Sequence, residues 1–100
     1  MVKHIILWTL KEEFSDAEKT DIKNNIKAGL ESLMGVVPNL LDIKVNVNPL
    51  PTSNADLMLD SSFESYDALK AYAIHPAHIK VADTFVRPFT ALRSCIDFEE

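Results

Sequence analysis

Lys3-His4-Ile5-Ile6-Leu7-Trp8-Thr9-Leu10-Lys11 is the stretch on which the fold turns. It is rich in strand formers and too short for a helix before the polar break that follows, so it reads as a strand. Its apolar side chains fall on both sides of the pleat. Ile5 and Leu7 share one side, and Ile6, Trp8 and Leu10 share the other. A strand that is apolar on both sides is covered on both sides.

Outward from it, Ser15-Asp16-Ala17-Glu18 is a capping box, a hydroxyl followed three residues on by a carboxylate. Ile22, Ile26, Leu30 and Leu33 then recur at helical steps, which predicts a helix over residues 16–34 with its Asp and Glu residues on a solvated face. Gly35 and Pro38 end it. Residues 40–48 alternate, with Leu41, Ile43, Val45 and Val47 opposite polar partners, which predicts an edge strand. A Pro-rich loop, residues 48–54, leads to a third strand at about 55–63. Ser65 caps a short helix with Leu69, Tyr72 and Ala73 inward. Pro76 stops that helix at His75 and starts a second segment, with Ile79, Ala82 and Val86 on one stripe, and Pro88 ends it. Residues 91–98 form the last strand.

The order βαββαβ in 100 residues predicts one α+β domain over 1–100, a ferredoxin-like four-stranded antiparallel sheet. Right-handed crossovers put the helices on one face of the sheet. The other face is left bare, although strand one carries Ile5 and Leu7 there. A homodimer, sheet against sheet, covers such a face with the symmetry that homo-oligomers favour.

Composition narrows the partners. The net charge is −5 and the ten basic residues are scattered, which disfavours nucleic acid and anionic membrane surfaces. The apolar run at the N-terminus is too short for a signal peptide or for crossing a bilayer, and Cys95 has no partner for an internal disulfide. These features predict a cytoplasmic location. Cys95, in an apolar strand, is expected in the core. Gly29 and Gly35 are the only glycines, which excludes the Gly-rich phosphate loops of nucleotide-binding proteins. His75 and His78 stand three apart, a spacing that metals use, but only His4 is left to complete the set. No metal and no cofactor are expected.

The residues with chemical capacity gather at the broken helix. His78 follows Pro76 by two residues, and Tyr72 precedes it by six. Imidazole titrates near neutrality and can accept a proton at pH 7. A tyrosine hydroxyl can hold a carbonyl or enolate oxygen. Asp97 can fix the tautomer of the imidazole if it reaches the far nitrogen. Together these groups suffice for proton abstraction beside a carbonyl. The same residues also have a structural reading: histidine beside proline satisfies groups at a helix start, tyrosine packs its ring inward, and His75 suits an N-cap. His4, near a strand end, is placed where its ring can reach water.

Three segments, Val2 to Lys11, Phe63-Glu64-Ser65 and Tyr72-Ala73-Ile74-His75-Pro76-Ala77-His78, resemble the stress-responsive A/B barrel (Dabb) family of dimeric α/β barrels. The resemblance spans nearly the whole chain. It implies the fold and the homodimer, and for most members no assigned reaction. Members that act as polyketide cyclases perform an aldol condensation without cofactor. By that likeness Tyr72 and His78 are catalytic, Asp97 supports them, and His4 and Trp8 belong to the substrate site; His75, beside Pro76, is a further candidate for substrate binding. The chain departs from the cyclase pattern at Leu57, where a histidine stands there, and at Trp8, where a smaller residue stands.

Two functions therefore remain open. One is a binding or stress-associated barrel of no assigned activity whose ligand is a small hydrophobic or polyketide-like molecule. The other is a cofactor-independent cyclase or isomerase with His78 as base and Tyr72 as hydrogen-bond donor. The space between the sheet and residues 72–86 decides between them.

Overall fold

The computed structural model describes residues 1–100. β1 (Val2–Leu10) is followed by α1 (Asp16–Glu31), β2 (Leu40–Asn46), β3 (Leu57–Phe63), α2 (Tyr66–Ala73), α3 (Pro76–Val81), one wide π-helical turn (Ala82–Val86) and β4 (Thr90–Glu99). The four strands run antiparallel in the order β2-β3-β1-β4. The ferredoxin-like arrangement expected from the sequence is therefore present, with β1 central and β2 at an edge.

α1 begins as its capping box requires. The Ser15 hydroxyl accepts from the Glu18 N–H at 3.2 Å, and the Glu18 carboxylate accepts from the Ser15 N–H at 2.9 Å. Its regular turns stop at Glu31, three residues earlier than expected, and looser turns carry the chain to Gly35 at φ +82°, a left-handed conformation that glycine adopts without strain. Ile22, Ile26, Leu30 and Leu33 are all buried against the sheet. Not every charge of α1 is solvated, however. The half-buried Glu31 carboxylate accepts from the Val45 N–H, and Lys27 donates to both Glu31 and the Val45 carbonyl. These contacts satisfy the outward N–H and C=O of Val45 on edge strand β2, which would otherwise be open to a further strand.

The register sorts the side chains. His4, Ile6, Trp8 and Leu10 point toward the helices with Leu57, Leu59 and Phe63, and this face holds the core. The opposite face carries Ile5, Leu7 and Met58 together with Leu92, Ile96 and Phe98 of β4. No helix lies over it, and Leu92 and Ile96 are 69% and 61% exposed.

Four expectations are corrected. Leu41 is exposed, because a bulge between Leu40 and Asp42 shifts the alternation and turns Leu40 inward instead. Ala73 and Ile79 are exposed, since the break at Pro76 re-aims the stripe. Ala68 joins Leu69 and Tyr72 inside, and Val81 and Phe85 pack where Ile79 was expected. Cys95 is exposed rather than in the core, because the helices do not extend across β4. His4, expected to reach water, is buried.

Candidate active site

Local chain chemistry places the two central side chains. The Ser65 hydroxyl accepts from the Ala68 N–H at 3.1 Å and starts α2, which buries Tyr72 on its last turn. Pro76 has no N–H to continue that helix and forces the residue before it into an extended conformation. His75 adopts φ −67°, ψ 132° and becomes the N-cap of α3, its Nδ1 accepting from the Ala77 N–H at 3.1 Å. α3 therefore sets off in a new direction, and His78 on its first turn folds back beside Tyr72. Their ring centroids are 4.2 Å apart, at an interplanar angle of 37°. Gly29 of α1 gives α3 its room. A Cβ at that position would lie 3.0 Å from Val81 Cγ1 and 3.1 Å from Phe85 Cδ2.

The protonation of His78 follows from one contact. Its Nδ1 lies 3.2 Å from the Ala73 carbonyl oxygen. A carbonyl can only accept, so Nδ1 carries the hydrogen and Nε2 holds the lone pair. Burial pushes the pKa of His78 below its ordinary 6.5. The charges of Arg87, His4 and Arg93 push the same way, against the Ala73 carbonyl. The ring is neutral at pH 7.

Tyr72 is almost wholly buried, and its hydroxyl has no hydrogen-bond partner. Such a group loses its water without compensation, at about 1–3 kcal/mol. Burial pushes its pKa far above the ordinary 10, with Arg93 opposing, so it stays a phenol and a donor. The ring packs at 4.9 Å from Phe63 and 6.1 Å from His4, centroid to centroid.

These groups border a cavity of about 150 Å³ between the sheet and the helices. His4, Ile6 and Trp8 form part of its floor, Tyr72 and His78 stand over it, and Arg87, Thr90 and Arg93 reach its rim. Trp8 lines this space without filling it. Leu57 is buried on the same sheet face but does not border the cavity.

Of the residues singled out in the sequence, Tyr72, His78, His4 and Trp8 come together here, whereas His75 lies outside as a helix cap. Asp97 is a further correction. It sits across the β1–β4 ladder from His4, and its carboxylate hydrogen-bonds Nδ1 of His4, not His78. Cys95 Sγ lies 3.7 Å from the same nitrogen and 3.5 Å from the Asp97 carboxylate. Partial burial and that carboxylate push the thiol pKa up, away from nucleophilic use. His4, Cys95 and Asp97 thus bring potential metal-ligating atoms within 4.8 Å of one another, whereas His75, whose spacing to His78 metals can use, is occupied as a cap. Arg93 and Arg87 were missed by sequence reasoning. The signal for Arg93 was a cation on the same sheet face as Trp8, legible only once the β1–β4 register is known.

Comparison with known proteins agrees with this architecture. A dimeric protein of unknown function with a ferredoxin-like fold from Bacteroides fragilis is 30% identical, with a TM-score of 0.92 over 99% of this chain and 95% of that one. The hydroxynitrile lyase of Passiflora edulis shares the fold at 19% identity, with a TM-score of 0.76 over 97% of this chain and 90% of that one. Olivetolic acid cyclase of Cannabis sativa is 24% identical over 87 residues, covering 84% of this chain and 82% of the cyclase. The family model for the stress responsive A/B barrel domain matches residues 2–100, and the chain belongs to that family.

Proposed function

We propose that the protein is a homodimeric enzyme that performs cofactor-independent proton transfer beside a carbonyl group, of the cyclase or isomerase kind. The observation that carries this reading is the pairing of a neutral His78, its Nε2 lone pair free, with an unpartnered Tyr72 hydroxyl on one cavity. A substrate carbonyl oxygen would accept from the Tyr72 hydroxyl. His78 Nε2 would take a proton from the adjacent carbon, leaving an enolate whose charge the phenol stabilises. The carbanion then either attacks a second carbonyl in the same molecule, forming a carbon–carbon bond, or is reprotonated at another position. In either case the imidazolium returns its proton, to the new alkoxide or to carbon. The depressed pKa of His78 makes that return easy. Asp97 supports this chemistry by holding His4 in place on the cavity floor.

The dimer belongs to the same proposal. The dimeric relative from Bacteroides fragilis supports self-association, and the bare apolar sheet face supports pairing through that face. No helix is long and apolar enough to cross a membrane. The free thiol of Cys95 suits a reducing cytoplasm.

Deuterium exchange at the α-carbon of cyclohexanone in D2O at pH 7, followed by proton NMR, tests the chemistry. The wild type should accelerate exchange and His78→Gln should abolish the effect. Cyclohexanone bound in the cavity, seen by shift perturbation, with no acceleration of exchange would overturn the catalytic reading in favour of a binding protein.

A further inference from the structure

We infer that the cavity takes a small oxocarboxylic acid, its carboxylate held at the rim by Arg93. This inference rests on the reading of the cavity as a substrate site. The chain has fifteen acidic residues and a net charge of −5, yet no Asp or Glu lines the cavity. Its permanently charged lining consists of Arg87 and Arg93 alone. Arg87 already donates to Asp83, one turn earlier in the π-helical segment. Arg93 makes no ion pair within the chain. The nearby carboxylate of Asp97 is engaged by His4 and Cys95. A guanidinium in this position matches a carboxylate in shape and charge.

Arg93 lies beside the Cys95 thiol, a neutral group, and the backbone explains why it meets no carboxylate. It pairs with Trp8 across the β1–β4 ladder and so points to the helix side of the sheet. The helices stop short of β4, which leaves Arg93 exposed at the cavity mouth. Leu92, one residue earlier, points to the bare face with Ile96. Face-to-face pairing of two sheets would therefore cover Leu92 and leave Arg93 open to ligand. The Arg93 charge also reaches inward, acting on both the Tyr72 hydroxyl and His78. A carboxylate at the rim and a carbonyl at Tyr72 would bring the carbon between them beside His78.

Volume sets the size of the guest. About 150 Å³ is the size of an apolar cavity that accepts one benzene ring. A ligand of roughly six to ten non-hydrogen atoms fits, with its anionic group at the mouth. A long polyketide chain would have to extend beyond the mouth.

Benzoate and its uncharged isostere benzamide separate the possibilities, each titrated into the wild type and into Arg93→Gln and followed by amide shift perturbation at fixed ionic strength. Benzoate should bind the wild type about tenfold or more tighter than benzamide. Arg93→Gln should remove that preference while leaving benzamide binding and the melting temperature unchanged. Equal binding of the two ligands to the wild type would overturn the carboxylate inference and leave the cavity reading standing. If neither ligand perturbs residues around Tyr72 and His78, the cavity reading itself fails. Loss of the preference in Arg87→Gln but not in Arg93→Gln would overturn the assignment to Arg93.

Discussion

Asp97 reaches His4 across the β1–β4 ladder, and His78 is left to the Ala73 carbonyl. The two histidines on the cavity are therefore oriented by different partners, one by a carboxylate and one by a backbone oxygen. Asp97→Asn removes the charge that faces a buried imidazole. The carboxylate side chain is 38% exposed, so solvent screening keeps the loss modest, about 1 kcal/mol. Urea denaturation measures it. Exchange activity should also fall, as the His4 ring loses its fixed orientation, and a variant with full activity would exclude Asp97 from the site.

Proton linkage at His78 gives a signed prediction. Its pKa is lower in the folded chain than its ordinary 6.5, so below pH 6.5 the unfolded chain binds the proton more readily. The contribution of this residue is fully present above that pH. It declines as pH falls from 6.5 toward the folded pKa, and is flat beyond it. The urea midpoint of the wild type should drop across that interval relative to His78→Gln, whose own curve lacks this component. Exchange activity should fall in acid with a midpoint below 6.5. A difference curve that is flat from pH 7 to pH 5 would contradict the burial of a neutral ring.

Much of this architecture was legible because local chemistry decided it. Ser15 and Glu18 started α1, Pro76 broke the second helical region at His75, and the doubly apolar β1 announced a central strand. Tyr72 and His78 lie six residues apart, so a local break was enough to bring them together. The rest depended on long-range register. His4 and Asp97 are 93 positions apart, and nothing short of the β1–β4 pairing joins them. The exposure of Cys95 and the position of Arg93 follow from how far the helices extend over the sheet, which side-chain periodicity does not encode. The bulge at Leu41 likewise arises in pairing with β3, not in the alternation of β2 itself.

Tyr72 predicts a trade between stability and activity. Its buried hydroxyl has no partner, and removing an unsatisfied group relieves its desolvation penalty. Tyr72→Phe should leave stability unchanged or raise it by about 1 kcal/mol, read from the urea midpoint. The same change should cut exchange activity by roughly a hundredfold, the scale of losing one donor to a developing oxyanion. A phenylalanine variant that keeps its activity would remove Tyr72 from the chemistry. One that is strongly destabilised would show that the hydroxyl has a partner after all.

Pairing of two chains predicts the effect of a single charge on the bare sheet face. Ile96 stands directly across from Ile5 on that face and is 61% exposed in the isolated chain. Burying it against a second copy contributes at roughly 25 cal/mol per Å² of apolar surface removed from water. A lysine there would need to be desolvated against the partner's apolar sheet face, so Ile96→Lys should be monomeric while the wild type is a dimer at micromolar concentration. Because Ile96 points away from the helices, the variant should keep the wild-type circular dichroism spectrum and the ring contacts of Tyr72. Light scattering on both proteins decides the matter. A monomeric wild type would leave six apolar side chains on that face, Ile5, Leu7, Met58, Leu92, Ile96 and Phe98, with no partner to justify them.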